Sequence, residues 1–465
     1  MKKLLLFILI ILFPIQINAR QKPINATAAI LVEQTTGRVL YAYNMHERRY
    51  PASMSKMLTA LVAVEHLELN HVVTVGAEIS PMPPGYATGI HFSGETITVH
   101  MLLKALIIRS GNESGRVLAL EVARRQTGRE NISYNEAKNI FSNMLNEKAR
   151  QLGAFNTTFD NPYGLHSSRH YTTAYDLALI ARAYMNNPIL AEIAGIRTFE
   201  GDSLNNVPHP NPNVREHSWV NTNRMLPGQD LGHPHITGIR TGFTTPAGHC
   251  FAGSAYHAGL SLITIVFNSE DPGRWQDTRL LMDYGFTNFA FRDIAAPYQI
   301  LDTMYIENPR RGGKTTLQIT SGAYYSALLS HAEYQSITRL ITYDPLLLVE
   351  PEEDSYDIKM LRAPIEAGEE VGTVKYMVND QIVFQTPALA AATIYERTFD
   401  SDMDYYIAMI FGNIFTLRAL PYWFGLFGTL FGIFGISVAI SAKRTAKKNE
   451  RWQLPERHRS KYDRR

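Results

Sequence analysis

The chain has 465 residues, more than one hydrophobic core organises, so two or more domains are expected. With 45% hydrophobic and 19% charged residues it reads as globular, which excludes a low-complexity or disordered chain. The net charge of +2 is misleading: residues 443–465 carry ten Lys or Arg against three acids, and without them and Lys2 and Lys3 the stretch 20–442 holds about −7, which excludes a nucleic-acid-binding surface.

Residues 1–19, MKKLLLFILIILFPIQINA, place two lysines before an apolar run and end on Ala19, the pattern of a secretory signal peptide. The single cysteine, Cys250, excludes an internal disulfide and reads as a small core residue. The next stretch, ATAAILVEQTTGRVLYAYN, predicts a β-hairpin turning at Thr36-Gly37. Pro51 then precedes ASMSKMLTALVAVEHLEL, which is apolar nearly all round and predicts a helix in the domain centre. A second apolar helix, ITVHMLLKALIIRS, is expected to stop at Gly111. NEAKNIFSNMLNEKARQLG and TTAYDLALIARAYMNN predict two more helices.

The stretch GIRTGFT, residues 238–244, suits an edge strand, with Gly242 letting backbone approach a ligand. CFAGSA and LSLITIVFN follow as strands of the same sheet. An α+β domain over residues 20–290 results, with helices from mid-chain packed on an antiparallel sheet drawn from both ends. Residues 297–397 break into short β-like runs separated by Gly, Asn and Asp, a small all-β domain.

Residues 401–421 mix apolar and polar positions and suit a juxtamembrane segment along a membrane surface. Tyr422–Ala442 carries no charge over 21 residues, and a helix of that length reaches about 30 Å. A buried soluble helix is the alternative, but the basic tail 443–465 favours a transmembrane helix with its C-terminal side in the cytoplasm, against anionic lipid. Gly428 and Gly432 permit helix pairing without specifying it, and the oligomeric state is left open.

Ser53 and Lys56 stand at i and i+3, so on a helix the two side chains touch. A serine hydroxyl attacks only when a base takes its proton. A lysine among apolar side chains loses solvation of its charged form, which lowers its pKa toward that of a working base. Alone, the spacing equally describes a helix cap with a snorkelling lysine. Ser110-Gly111-Asn112 can put a hydroxyl and a carboxamide into one cleft, or simply end a helix. Arg240 offers a fork to a carboxylate or phosphate.

The three pieces in this order are more specific than any one. The chain resembles the D-alanyl-D-alanine carboxypeptidases, the low-molecular-weight penicillin-binding proteins, whose motif set serine β-lactamases share. AAILVEQTTGRVLYAYNMHERRYPASMSKMLTA, SGNESG, TTFDNPYGLHSSRHYTTAYDLALIA, TGIRTGFTTPAGHCFAGSA and APIEAGEEVGTV all look like carboxypeptidase segments, over roughly residues 23–400. The resemblance implies a penicillin-binding/β-lactamase-like fold and penicillin-sensitive removal of D-alanine from peptidoglycan stem peptides, with β-lactams as inhibitors and no metal or cofactor. Ser53 would be the nucleophile, Lys56 the general base and Ser110 the proton relay. Asn112 would orient Lys56 and the substrate amide. Arg240 and Thr241 would hold the terminal carboxylate, Gly242 would allow its approach, and backbone N–H groups of Ser53 and Phe243 would form the oxyanion hole.

Two departures stand out. Arg240 occupies the place where the family usually has lysine; it keeps the charge and cannot donate its proton near neutral pH. The C-terminal end reads as a true span where relatives commonly carry an amphipathic helix. A class A β-lactamase would need an acidic deacylation base, yet FDNPYGLHSSRHYTT holds no Glu. A D,D-endopeptidase uses the same machinery, and a catalytically weak wall-binding scaffold is the non-enzymatic reading. His166 and His170 have HxxxH spacing, a minor metal-site reading.

Overall fold

The computed structural model describes residues 24–83, 86, 91–201, 203–205, 217–349, 359–414, 416 and 420–453. The expected signal peptide, and the tail beyond residue 453, lie outside the described residues. The chain divides into two compact units: residues 1–292 with 327–336, and residues 293–326 with 337–465.

In the first unit, β1 (Ala28–Glu33) and β2 (Val39–Tyr43) form the hairpin, with Gly37 in the left-handed region at φ +74°. A 3₁₀ turn (Ala52–Ser55) leads into α1 (Lys56–His66). Next come β3 (Val72–Thr74), β4 (Thr96–Thr98), α2 (Val99–Lys104), α3 (Asn112–Thr127), α4 (Tyr134–Gln151), α5 (Ala174–Asn186) and α6 (Pro188–Gly195). The short ribbon of β5 (Thr198–Gly201) and β6 (His217–Val220) precedes β7 (Ile236–Thr244), β8 (Gly248–His257), β9 (Leu260–Ser269) and α7 (Gly273–Asn288).

The main sheet is antiparallel in the order β2-β1-β9-β8-β7, so the strand bearing the Arg-Thr-Gly triplet is an edge, as the sequence predicts. Side chains alternate faces along a strand. Ala28, Ile30 and Val32 enter the large core that holds α1, α3 and α5, while Ala29 and Leu31 enter a second core with Trp275, Leu281 and Met282 of α7. Both faces are therefore covered, which is why β1 reads as an unbroken apolar run rather than as an alternating one. The side chains of α1 from Lys56 to Ala63 are all buried, which explains its apolar character all round.

The second unit carries a seven-stranded sheet in the order Thr338–Tyr343, Glu370–Val378, Gln381–Ala390, Thr316–Ser321, Ile300–Glu307, Met360–Arg362, Leu348–Val349. The helix Phe399–Ile414 follows. Its Asp402 meets Arg397 at 2.8 Å and Arg311 at 3.3 Å, while Met403, Ile407, Ile410 and Phe411 stay exposed. The helix Leu420–Gln453 contains the one segment, Leu420–Lys448, that is long and apolar enough to cross a membrane among the described residues, with mean hydropathy 1.9. None of its apolar window is buried, so the buried soluble helix considered above does not hold, and the segment is the candidate membrane anchor.

Candidate active site

Ser53 and Lys56 lie where the 3₁₀ turn passes into α1. The preceding Ala52 sits at φ +48°, a conformation that costs a non-glycine residue about 1–3 kcal/mol unless its surroundings impose it. The surroundings are tight. Gly164 packs against this turn at φ +88°, and a Cβ there would stand 2.1 Å from the Ala52 carbonyl oxygen.

Lys56 is completely buried. Its Nζ stands 2.8 Å from Ser53 Oγ, 2.6 Å from Asn112 Oδ1, 2.7 Å from the Tyr163 carbonyl and 3.4 Å from Ser110 Oγ. It has no ion pair among the described residues. Burial first, and then the positive charge of Arg240, hold its pKa well below the usual lysine range. A neutral amine has two N–H groups and one lone pair. The two carbonyl oxygens take the N–H groups, which leaves the lone pair to accept the Ser53 hydroxyl proton.

The second apolar helix ends differently from the expectation. Residues Ala105–Arg109 form a π-helical turn after α2, and the left-handed residue that closes it is Ser110, at φ +73° and ψ +33°, rather than Gly111. Wider turns of this kind often mark functional sites. The reversal points the Ser110 hydroxyl at Ser53 Oγ, 3.3 Å away. Asn112 opens α3, and its Nδ2 donates to the Tyr86 carbonyl at 2.7 Å, which fixes the carboxamide with Oδ1 toward Lys56.

Gly242 on β7 faces the 3₁₀ turn, where a Cβ would come 2.7 Å from the Pro51 carbonyl oxygen. Only glycine lets the strand lie this close. Arg240 is not displayed in an open cleft. It is buried beneath Ser53, with Nε 3.4 Å from the Ser53 carbonyl and Nη1 donating to the Ile107 carbonyl at 2.6 Å and to Thr222 Oγ1 at 3.2 Å. Burial lowers its pKa to about 10, which leaves it charged, and Nη2 finds no partner among the described residues. Thr241 Oγ1 donates to Thr222 Oγ1 at 3.0 Å. The Phe243 ring is exposed and stacks on His249 at 4.5 Å.

The structure thus gathers Ser53, Lys56, Ser110, Asn112, Arg240, Thr241 and Gly242 around one point. His166 meets the Tyr50 ring edge-on, and His170 Nδ1 turns to Asp160 Oδ1 at 3.2 Å. Cys250 is fully buried, and burial pushes its thiol up to about 12. Two members of the site were missed from the sequence. The Tyr163 carbonyl has no side-chain signature, and Thr222 is an unremarkable threonine until the fold brings it to β7.

The pattern of the D-alanyl-D-alanine carboxypeptidase family matches residues 15–271, and that of the penicillin-binding protein 5 C-terminal domain matches residues 348–396. D-alanyl-D-alanine carboxypeptidase DacF of Bacillus subtilis (strain 168) is 28% identical over 79% of this chain and 85% of its own length. DacC of Escherichia coli (strain K12) is 26% identical over 86% and 90%. The fold is that of penicillin-binding protein 6B from Escherichia coli, with TM-score 0.57 at 22% identity over 80% of this chain and 98% of the other.

Arg240 lies close enough to repel a proton on Lys56, so Arg240→Leu is expected to raise the Lys56 pKa. The neutral fraction of Lys56 grows with pH, so the acid limb of Ser53 acylation by a fluorescent penicillin tracks that pKa. Loss of Arg240 moves the limb to higher pH and slows acylation roughly tenfold at neutral pH. A limb that stays in place contradicts the coupling.

Proposed function

The chain belongs to the D-alanyl-D-alanine carboxypeptidase family, and we propose that it removes the terminal D-alanine from peptidoglycan pentapeptide stems through an acyl-enzyme on Ser53. The observation that carries this reading is the place of Lys56 Nζ, buried and within 3.4 Å of Ser53, Ser110 and Asn112 together.

Lys56 takes the Ser53 proton as Oγ attacks the carbonyl carbon of the penultimate D-alanine. The oxyanion forms against backbone N–H groups of Ser53 and Phe243. The C–N bond breaks, and Ser110 passes a proton from Lys56 to the departing D-alanine amine. Water, activated by Lys56, then hydrolyses the ester and frees the shortened stem. Asn112 positions Lys56 and meets the substrate amide. Thr241 contacts the terminal carboxylate on the open side of β7, and Arg240 supplies a fixed positive charge from below. This role differs from a displayed bidentate fork, because Arg240 is buried and its Nε and Nη1 are already engaged by Ser53, Ile107 and Thr222, which leaves Nη2 as the donor without a partner among the described residues. Gly242 keeps the strand close enough for these contacts. A β-lactam acylates Ser53 by the same route, and the ester persists because the 159–173 segment offers no Glu as deacylation base.

The exposed apolar face of the helix Phe399–Ile414 and the span Leu420–Lys448 support attachment to the outer side of the cell membrane, with residues beyond the span in the cytoplasm.

The full chain is expected to release D-alanine from a diacyl-L-Lys-D-Ala-D-Ala tripeptide, and Ser53→Ala to lower that rate by roughly 10⁴-fold or more. Undiminished release by the variant would move the nucleophile elsewhere. Washing membranes with alkaline carbonate should leave the protein in the pellet; its appearance in the supernatant would replace the span by a surface anchor.

A further inference from the structure

One cluster of metal-ligating side chains stands apart from the residues assigned above: His91, Glu95 and His217, all buried. His91 and Glu95 flank the turn that leads into β4, and His217 opens β6, 122 residues beyond Glu95. The side chains of His91 and Glu95 are 0% exposed and that of His217 is 6% exposed. One ring nitrogen from each histidine aims at the same carboxylate. His91 Nδ1 stands 3.0 Å from Glu95 Oε2, and His217 Nε2 meets Glu95 Oε1.

The ligand atoms of the three side chains lie within 4.8 Å of one another. A tetrahedral zinc ion with N and O bonds of about 2.0–2.2 Å holds its ligands about 3.3–3.6 Å apart, so the trio becomes a coordination shell when the two imidazole–carboxylate pairs open from hydrogen-bond distance and the wider separations close by about 1 Å. The surroundings supply what such a shell needs. His91 Nε2 lies 2.9 Å from Ser114 Oγ, an acceptor for its N–H once Nδ1 gives its lone pair to a metal in place of its hydrogen bond to Glu95. Ser203 Oγ donates to Glu95 Oε1 at 3.0 Å and orients the carboxylate. Trp219 packs against both imidazoles and stacks on Phe199, an apolar wall along one side of the trio.

We propose that His91 Nδ1, the Glu95 carboxylate and His217 Nε2 bind one divalent transition-metal ion of the zinc class. Two imidazoles and one carboxylate suit Zn²⁺, and the fourth tetrahedral position is left for water. The ion is a clamp. It ties β6 to the segment ahead of β4 and, through His91 and Ser114, to the first turn of α3. Asn112, two residues before Ser114, is the partner of Lys56. The ion therefore fixes the wall of the site without touching substrate.

The test uses the tag-free full chain in detergent, stripped with a chelator and then titrated with Zn²⁺ or Co²⁺. The expected result is about one equivalent of zinc retained through gel filtration, visible d–d bands of tetrahedral Co²⁺, and a Tm on the order of 5 °C higher with excess zinc. The His91→Ala/His217→Ala double variant loses all three. A wild-type chain that retains no zinc, shows no cobalt bands and keeps its Tm overturns the proposal and leaves a hydrogen-bonded trio. Zinc retained equally by the double variant also overturns it, because the ion then sits elsewhere. Should the double variant not fold, the wild-type cobalt spectrum and Tm decide alone.

Discussion

A lysine buried without an ion pair is the constraint from which the rest of the site follows. Removing an ammonium from water costs several kcal/mol unless a carboxylate pairs with it or the proton leaves. Lys56 makes no ion pair among the described residues; burial and then Arg240 oppose its charge, and the carboxylate of Glu113 offsets them only in part. Burial and Arg240 therefore favour the neutral amine over the ammonium. Its two N–H groups are satisfied by Asn112 and Tyr163, and its lone pair faces Ser53. Reactivity here is a consequence of packing: α1 is apolar on every side because the domain core surrounds it.

Holding that geometry strains the backbone at several places, all next to the reacting groups. Ala52 and Ser110 adopt left-handed conformations, and a side chain at Gly164 or Gly242 would collide with the 3₁₀ turn before Lys56. Each left-handed non-glycine residue costs about 1–3 kcal/mol, which the double-faced core of the sheet offsets. The strain has a chemical purpose. Without the reversal at Ser110 its hydroxyl would continue along the helix instead of meeting Ser53 at 3.3 Å.

Much of this was legible in the chain itself. The hairpin, the buried helix and the edge strand follow from apolar periodicity and from Gly37 and Gly242, because these are local signals. The motif residues Ser53, Lys56, Ser110 and Asn112 could be named because their spacing and order are carried by side chains. What the sequence could not show depends on long-range packing. The Tyr163 carbonyl acts through backbone that every residue has. Thr222 matters only because its segment is brought beside β7. The burial of Arg240 was hidden for the same reason, since an arginine in an edge strand reads as exposed. His91 and His217 stand 126 positions apart with no shared motif, so their convergence on Glu95 appears only in three dimensions.

The charge on Lys56 can be read directly. With lysine labelled at ¹³Cε, the Lys56 resonance is assigned by its loss in Lys56→Arg and followed through a pH titration of the full chain in detergent. A neutral amine at pH 8, taking up its proton only well below the ordinary lysine range, is the expected result. A Lys56 signal that stays that of an ammonium through pH 8 would contradict the central role of the buried neutral base.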